Sequence, residues 1–221
     1  MSELKSIIMI GATGAVGSHV VKTLVGLDNI ERITLLGRRP LQDVTSSKVT
    51  QHTVDILEPE SYRQFLPNHT TAISTLGIGQ PSKVSKEQFT KIDKDANLNF
   101  GTACKAAGVQ HFQLLSSVGV DPKSSSFFLR SKGELEEGLR SLNFHRLSLF
   151  HPSMILTPEN RYGISQAITL AVWPLLKPGL LGPLRKFRGV KVARLGASIA
   201  RNTVRAKTGF IEVLQWDDFQ K

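Results

Sequence analysis

Seven residues near the start of the chain, Gly11-Ala12-Thr13-Gly14-Ala15-Val16-Gly17, constrain its fold more than any other stretch. They follow a short β-branched run, Ser6 to Ile10, and precede a helical one, Ser18 to Leu27. Between a strand and a helix a glycine triplet has three tasks. Gly11 permits a tight turn, Gly14 lets the backbone approach a pyrophosphate, and Gly17 lets the helix pack close to the strand. The helix N-terminus then offers N–H groups and partial positive charge to phosphates. Gly11, Thr13, Gly14, Ala15, Val16 and Gly17 are therefore the expected phosphate-side contacts of a dinucleotide.

The rest of the chain supports that frame. Apolar β-branched runs recur at Arg32 to Leu36, Val49 to Val54, Thr71 to Thr75, His111 to Ser116 and His145 to Phe150, alternating with helical patterns. Such alternation marks stacked βαβ units around a parallel sheet. A long helix is expected over Lys86 to Gly108, where Phe89, Ile92, Ala96, Phe100 and Ala103 return at helical spacing. A second is expected over Ser131 to Leu142, weakened slightly by Gly133 and Gly138, and a third over Arg194 to Asn202. Phe210 to Leu214 reads as a last edge strand. At 221 residues the chain is expected to be a single α/β domain. The predicted architecture is a Rossmann-type doubly wound parallel sheet with a small C-terminal substrate lobe, residues 153–207 contributing the substrate-side cap.

The end of the second strand selects the dinucleotide. NAD-preferring sites place a carboxylate there, which would repel a 2′-phosphate. This chain has Gly37-Arg38-Arg39 instead. Two guanidiniums suit a phosphate through paired charge-assisted hydrogen bonds, so NADP(H) is favoured over NAD(H). Asp55 and Ile56 after the third strand are candidates for the adenine edge, and Leu76 and Gly77 after the fourth for the ribose side.

Composition bounds the setting. The apolar run Ile7 to Ile10 is too short for a secretory signal core, and the lone Cys104 reads as a buried thiol, so a cytoplasmic protein is expected. Ile164 to Leu184 is interrupted by Pro174, Pro178, Pro183 and Lys177 and reads as an amphipathic cap with peripheral membrane contact as the alternative, not as a transmembrane segment. The net charge of +10 is densest from Arg185 to Lys207, but no recognition motif accompanies it, so no specific nucleic acid is expected. No metal is expected, and the chain is expected to be a monomer or homodimer.

Beyond these readings, the GATGAVG loop, the GRR after the second strand and the segments SSVGVD, SKGELE and HPSMIL resemble the atypical short-chain dehydrogenase/reductase superfamily, and within it the Tat-interacting-protein-like NAD(P)-binding group. The resemblance covers roughly residues 5 to 157, and the later GVKVARLGASIARNTV more loosely. It implies a serine, a tyrosine and a lysine for hydride-transfer chemistry. The serine maps to Ser116 or Ser117 and the lysine to Lys132, which also binds the nicotinamide ribose. The tyrosine position holds Phe128, whose phenyl ring has no proton to exchange. His151-Pro152 stands where Arg-Pro is common. Tyr162 and His151 are then the candidate proton donors. The leading reading is an NADP(H)-binding oxidoreductase-like protein with a carbonyl or quinone-like substrate. The alternative is a non-catalytic NADPH sensor that signals through a regulatory protein partner.

Overall fold

The computed structural model describes residues 4–42, 44–80, 83–157, 181–205 and 211–220. β1 (Lys5–Ile10) leads through the glycine turn into α1 (Ala15–Val25), followed by β2 (Ile30–Gly37) and β3 (Val49–Thr53). After β4 (Thr71–Ser74), α2 (Lys86–Phe89) passes through a π-helical stretch, Thr90–Asp95, into α3 (Ala96–Ala106). Then come β5 (His111–Leu115), α4 (Phe127–Ser141), β6 (Arg146–Phe150), β7 (Ile155–Leu156), β8 (Val190–Lys191), α5 (Val192–Asn202) and β9 (Ile211–Leu214).

Seven strands form one parallel sheet in the order β3-β2-β1-β4-β5-β6-β9. The chain winds outward from β1 to β3, then returns to place β4 on the other side of β1. Open α/β sheets bind ligands at such a reversal, outside the carboxyl ends of the strands. β1 shows why both faces are covered. Ile7 and Met9 join a core with Val16, Val20 and Leu24 of α1 and Leu195 and Ile199 of α5. Ile8 and Ile10 join the opposite core, with Phe100 of α3, Phe112 of β5 and Leu135 and Leu139 of α4. A strand buried on both faces needs a continuous apolar run, and this one has it.

Three helices begin earlier than their apolar periodicity predicts: α1 at Ala15 instead of Ser18, α4 at Phe127 instead of Ser131, α5 at Val192 instead of Arg194, while α2 begins at Lys86 as expected. In α1 the first turn is built from the glycine loop itself, with Ser18 N–H donating to the Gly14 carbonyl at 3.1 Å. In α4 the Arg130 N–H donates to the Ser126 carbonyl at 2.9 Å, without a side-chain cap to announce it. Gly133 lowers the propensity of α4 for a packing reason, because a Cβ there would lie 2.3 Å from the Pro122 nitrogen. α5, within the stretch expected to cap the substrate side, packs on α1, where Gly196 admits the His19 side chain.

Candidate functional site

Two clefts open at the carboxyl ends of the strands, on either side of the glycine turn. One, of about 430 Å³, is lined by Gly11, Thr13, Arg38, Arg39, Asp55, Ile56 and Leu76. The other, of about 530 Å³, is lined by Gly14, Ala15, Val16, Leu76, Gly77, Ser116, Ser117, Phe128 and Lys132. Leu76 belongs to both walls. Of the residues expected to contact a cofactor, Gly17 alone lines neither cleft, being buried under the turn.

The three glycines differ in what they permit. Gly11 has φ +82°, and a Cβ there would lie 2.4 Å from the Thr75 carbonyl carbon, so the ends of β1 and β4 meet only through glycine. A Cβ at Gly17 would lie 2.1 Å from the Gly11 oxygen. Gly14 has φ −73° and a Cβ there would stand 3.2 Å from that oxygen, close but open toward the cleft. α1 has neither a side-chain cap nor an acidic residue in its first turn. This N-terminus is shaped and charged for an anion held by backbone N–H groups.

At the far end of the first cleft, Arg38 and Arg39 are exposed, and among the described residues no carboxylate is paired with either. Asp55 Oδ1 accepts the Leu57 N–H at 3.0 Å, which tightens the turn after β3. His52, also on this wall, stacks on Phe65 with ring centroids 3.8 Å apart.

The second cleft brings together Ser116, Ser117, Phe128 and Lys132. Lys132 Nζ lies 3.4 Å from Asp93 Oδ1, with both side chains nearly out of solvent. Asp93 Oδ2 accepts the Ile78 N–H at 2.8 Å. Burial pushes the Asp93 carboxyl above its usual range, while Lys132 and the Ile78 N–H pull the other way. Asp93 sits in the π-helical stretch, a feature often found at functional sites. Asn97 secures that stretch: its amide donates to the Ile92 and Asp93 carbonyls and its Oδ1 accepts from Ser74.

Ser116 donates its hydroxyl proton to Glu136 Oε1 at 2.5 Å, and the same oxygen lies 2.7 Å from His151 Nε2. His151 is thereby held in a buried hydrogen-bond network. Ser117 reaches the Val118 carbonyl at 3.4 Å. Phe128 lies against Phe89, with Lys132 Nζ 5.7 Å from its ring centre. Tyr162 lies outside the described residues.

Asp93, Asn97 and Glu136 were not among the residues expected to build the site. Their signal in the sequence is a polar group on an apolar helical stripe. Asp93 and Asn97 share the face of Phe89, Ala96 and Phe100, and Glu136 follows Leu135 on α4. A polar residue at a core position calls for a partner or a function.

The parallel sheet, the switch-point clefts and the glycine turn define a nicotinamide-dinucleotide-binding Rossmann protein of the short-chain dehydrogenase/reductase type. A family model described as NAD(P)H-binding matches residues 11–144. The chain belongs to that family, and within it to the atypical group that contains the proteins HTATIP2 and FMP52. It is 34% identical to HTATIP2 of Rattus norvegicus over 154 residues, a match that takes in 69% of this chain but only 63% of the rat protein's length. It is 32% identical to fmp52 of Emericella nidulans over 157 residues, covering 69% of this chain and 67% of that one. Among solved structures it is similar to MoeE5, in complex with UDP-glucuronic acid and NAD. The TM-score is 0.74 at 18% identity, covering 95% of this chain and 75% of that one, a likeness of fold.

One expectation is corrected by these relatives. The fungal proteins are named as mitochondrial, which points away from the cytoplasm. The expectation rested on the absence of a secretory signal core, which bears on export and not on entry into an organelle.

Proposed function

We propose that this chain binds NADP(H) across both clefts and acts as an oxidoreductase-like protein on a carbonyl or quinone-like acceptor, in mitochondria like its fungal relatives. In this reading the Gly11–Gly17 turn carries the pyrophosphate and Arg38 and Arg39 take the 2′-phosphate. Asp55 and Ile56 meet the adenine, and Leu76 and Gly77 the ribose side. When bound, the nicotinamide supplies the hydride. Lys132, held by Asp93, sets positive charge beside it, and Ser153, Met154, Ile155 and Thr157 stand on the substrate side; of the stretch expected to cap that side, 158–180 and 206–207 lie outside the described residues.

The observation that carries the reading is Phe128. It lines the second cleft beside Lys132 and offers no proton, and the hydroxyl proton of Ser116 points at Glu136. Acceptors whose reduced oxygen is protonated by water, such as quinones, suit such a cleft best. Wild-type protein should oxidise NADPH slowly with simple aldehydes and ketones and faster with quinones. Phe128→Tyr should accelerate carbonyl reduction, since a positioned general acid contributes about 10²–10⁴ in rate. Loss of NADPH absorbance across a panel of acceptors measures both, with Lys132→Ala as control. Brisk wild-type carbonyl reduction that Phe128→Tyr does not improve would contradict the role given to Phe128. The second reading, a sensor acting through a protein partner, is favoured by Lys132 and Ser116 both being engaged by buried carboxylates. Tight NADPH binding without turnover in either protein would select it.

A further inference from the structure

Residues 161–210 contain ten lysines and arginines and no aspartate or glutamate, while the rest of the chain has eighteen of each. The whole net charge of +10 therefore belongs to this one stretch. Within it, Gly182–Phe187 forms a 3₁₀ helix. That geometry has three residues per turn, so side chains three apart line up. Leu184 and Phe187 have this spacing within the helix, Leu181 precedes it as the N-cap, and the three are 49%, 37% and 64% exposed. Among the described residues six large hydrophobic side chains are exposed, and half of them fall in these seven residues. Lys186, Lys191 and Arg194 lie beside this ridge in the chain, and Lys186 Nζ lies 5.3 Å from the Phe187 ring centre.

The ridge is anchored to the body of the protein. Arg185 pairs with Asp217 at 2.8 Å and, like Arg188, lies over the Trp216 ring, whose Nε1 donates to the Gly189 carbonyl at 3.2 Å. The Val190 N–H donates to the Met154 carbonyl at 2.9 Å, and β8 pairs with β7. Met154 and Ile155 line the second cleft, so the ridge is tied to that cleft's wall.

An exposed apolar ridge amid basic residues matches a surface that is apolar inside and anionic outside. We propose that Leu181, Leu184 and Phe187 insert into the interface of an anionic phospholipid bilayer, with Lys186, Lys191 and Arg194 against its headgroups. Apolar burial and headgroup attraction add in such docking. Nucleic acid would engage the charge but leaves the ridge unexplained. Docking here would bring the second cleft to the membrane, where lipid-soluble acceptors reside. The surface proposal itself stands whether or not the chain reduces them.

Sedimentation of the full chain with vesicles tests it, using phosphatidylcholine alone and phosphatidylcholine with one-fifth phosphatidylglycerol. Wild-type protein should bind the anionic vesicles, release as salt is raised, and bind neutral vesicles weakly. Leu184→Ser with Phe187→Ser should lower the partition coefficient at least tenfold. Lys186→Gln and Lys191→Gln should each lower it about fivefold at low salt. Circular dichroism checks folding, and NADPH fluorescence on the same samples reads the cofactor site separately. A folded protein that ignores anionic vesicles overturns the proposal. So does vesicle binding unchanged by the double serine variant, or duplex DNA displacing the protein from vesicles with the ridge variants unaffected.

Discussion

A methyl group at Gly17 would stand 2.1 Å from the Gly11 oxygen, inside the contact of α1 with the turn before it, whereas one at Gly14 would stop at 3.2 Å. The two positions should therefore fail differently. Gly17→Val drives a side chain into the Gly11–Ala12 backbone and should lose about 1–3 kcal/mol of stability or more. Gly14→Val should fold normally by circular dichroism but lose at least tenfold in NADPH affinity, since its side chain fills the approach to the phosphates. Wild-type affinity in a folded Gly14→Val protein would show that the pyrophosphate lies elsewhere. These glycines and the arginine pair were legible because their chemistry is local: a turn, a strand end, two charges. Asp93 and Glu136 were not, because each draws its meaning from a group distant in sequence. Asp93 is defined by Lys132 on α4, and Glu136 by Ser116 and His151 at the ends of β5 and β6.

At the scale of elements, the seven strands of the large sheet were predictable to within two residues because a parallel sheet covered on both faces demands apolar β-branched runs, whereas the two-residue strands β7 and β8 are too short to leave such a run. The attachment of the last strand was not. β9 is exposed at Ile211 and Val213, and buried polar groups fasten it to β6. Arg146 donates to Glu212 at 2.7 Å and to the carbonyls of Asn202, the last residue of α5, and of Arg205 beyond it, while Ser148 donates to Glu212 at 2.6 Å. Because the Ser148 proton goes to Glu212, His111 Nε2 is the donor in its 2.8 Å contact with Ser148. Burial first, and then the Arg146 charge, push the His111 pKa down from 6.5 to about 3. The unfolded chain thus binds this proton more readily than the folded one. Its stability contribution is fully present above pH 6.5 and is lost as pH falls toward 3, by about 1.4 kcal/mol per unit. Urea unfolding should show stability declining from pH 6.5 to pH 4, with a shallower decline in His111→Gln. Equal slopes in the two proteins would remove His111 from the account.

Over the whole molecule, a near-neutral nucleotide-binding body is joined to one stretch that holds the entire positive charge. The two clefts flank the glycine turn at the point where strand order reverses, and they ask for a ligand long enough to occupy both. In the proposed function the arginines after β2 make that ligand NADP(H). Isothermal titration of NADPH and NADH into the wild type and into the Arg38→Ala, Arg39→Ala double variant therefore tests the central claim most directly. Charge-assisted contacts to the 2′-phosphate should make NADPH bind tighter by about 1.5–3 kcal/mol, or one to two decades, in the wild type. The double variant should lose that margin and keep its NADH affinity. Equal affinities for the two cofactors, unchanged by the substitutions, would contradict the account.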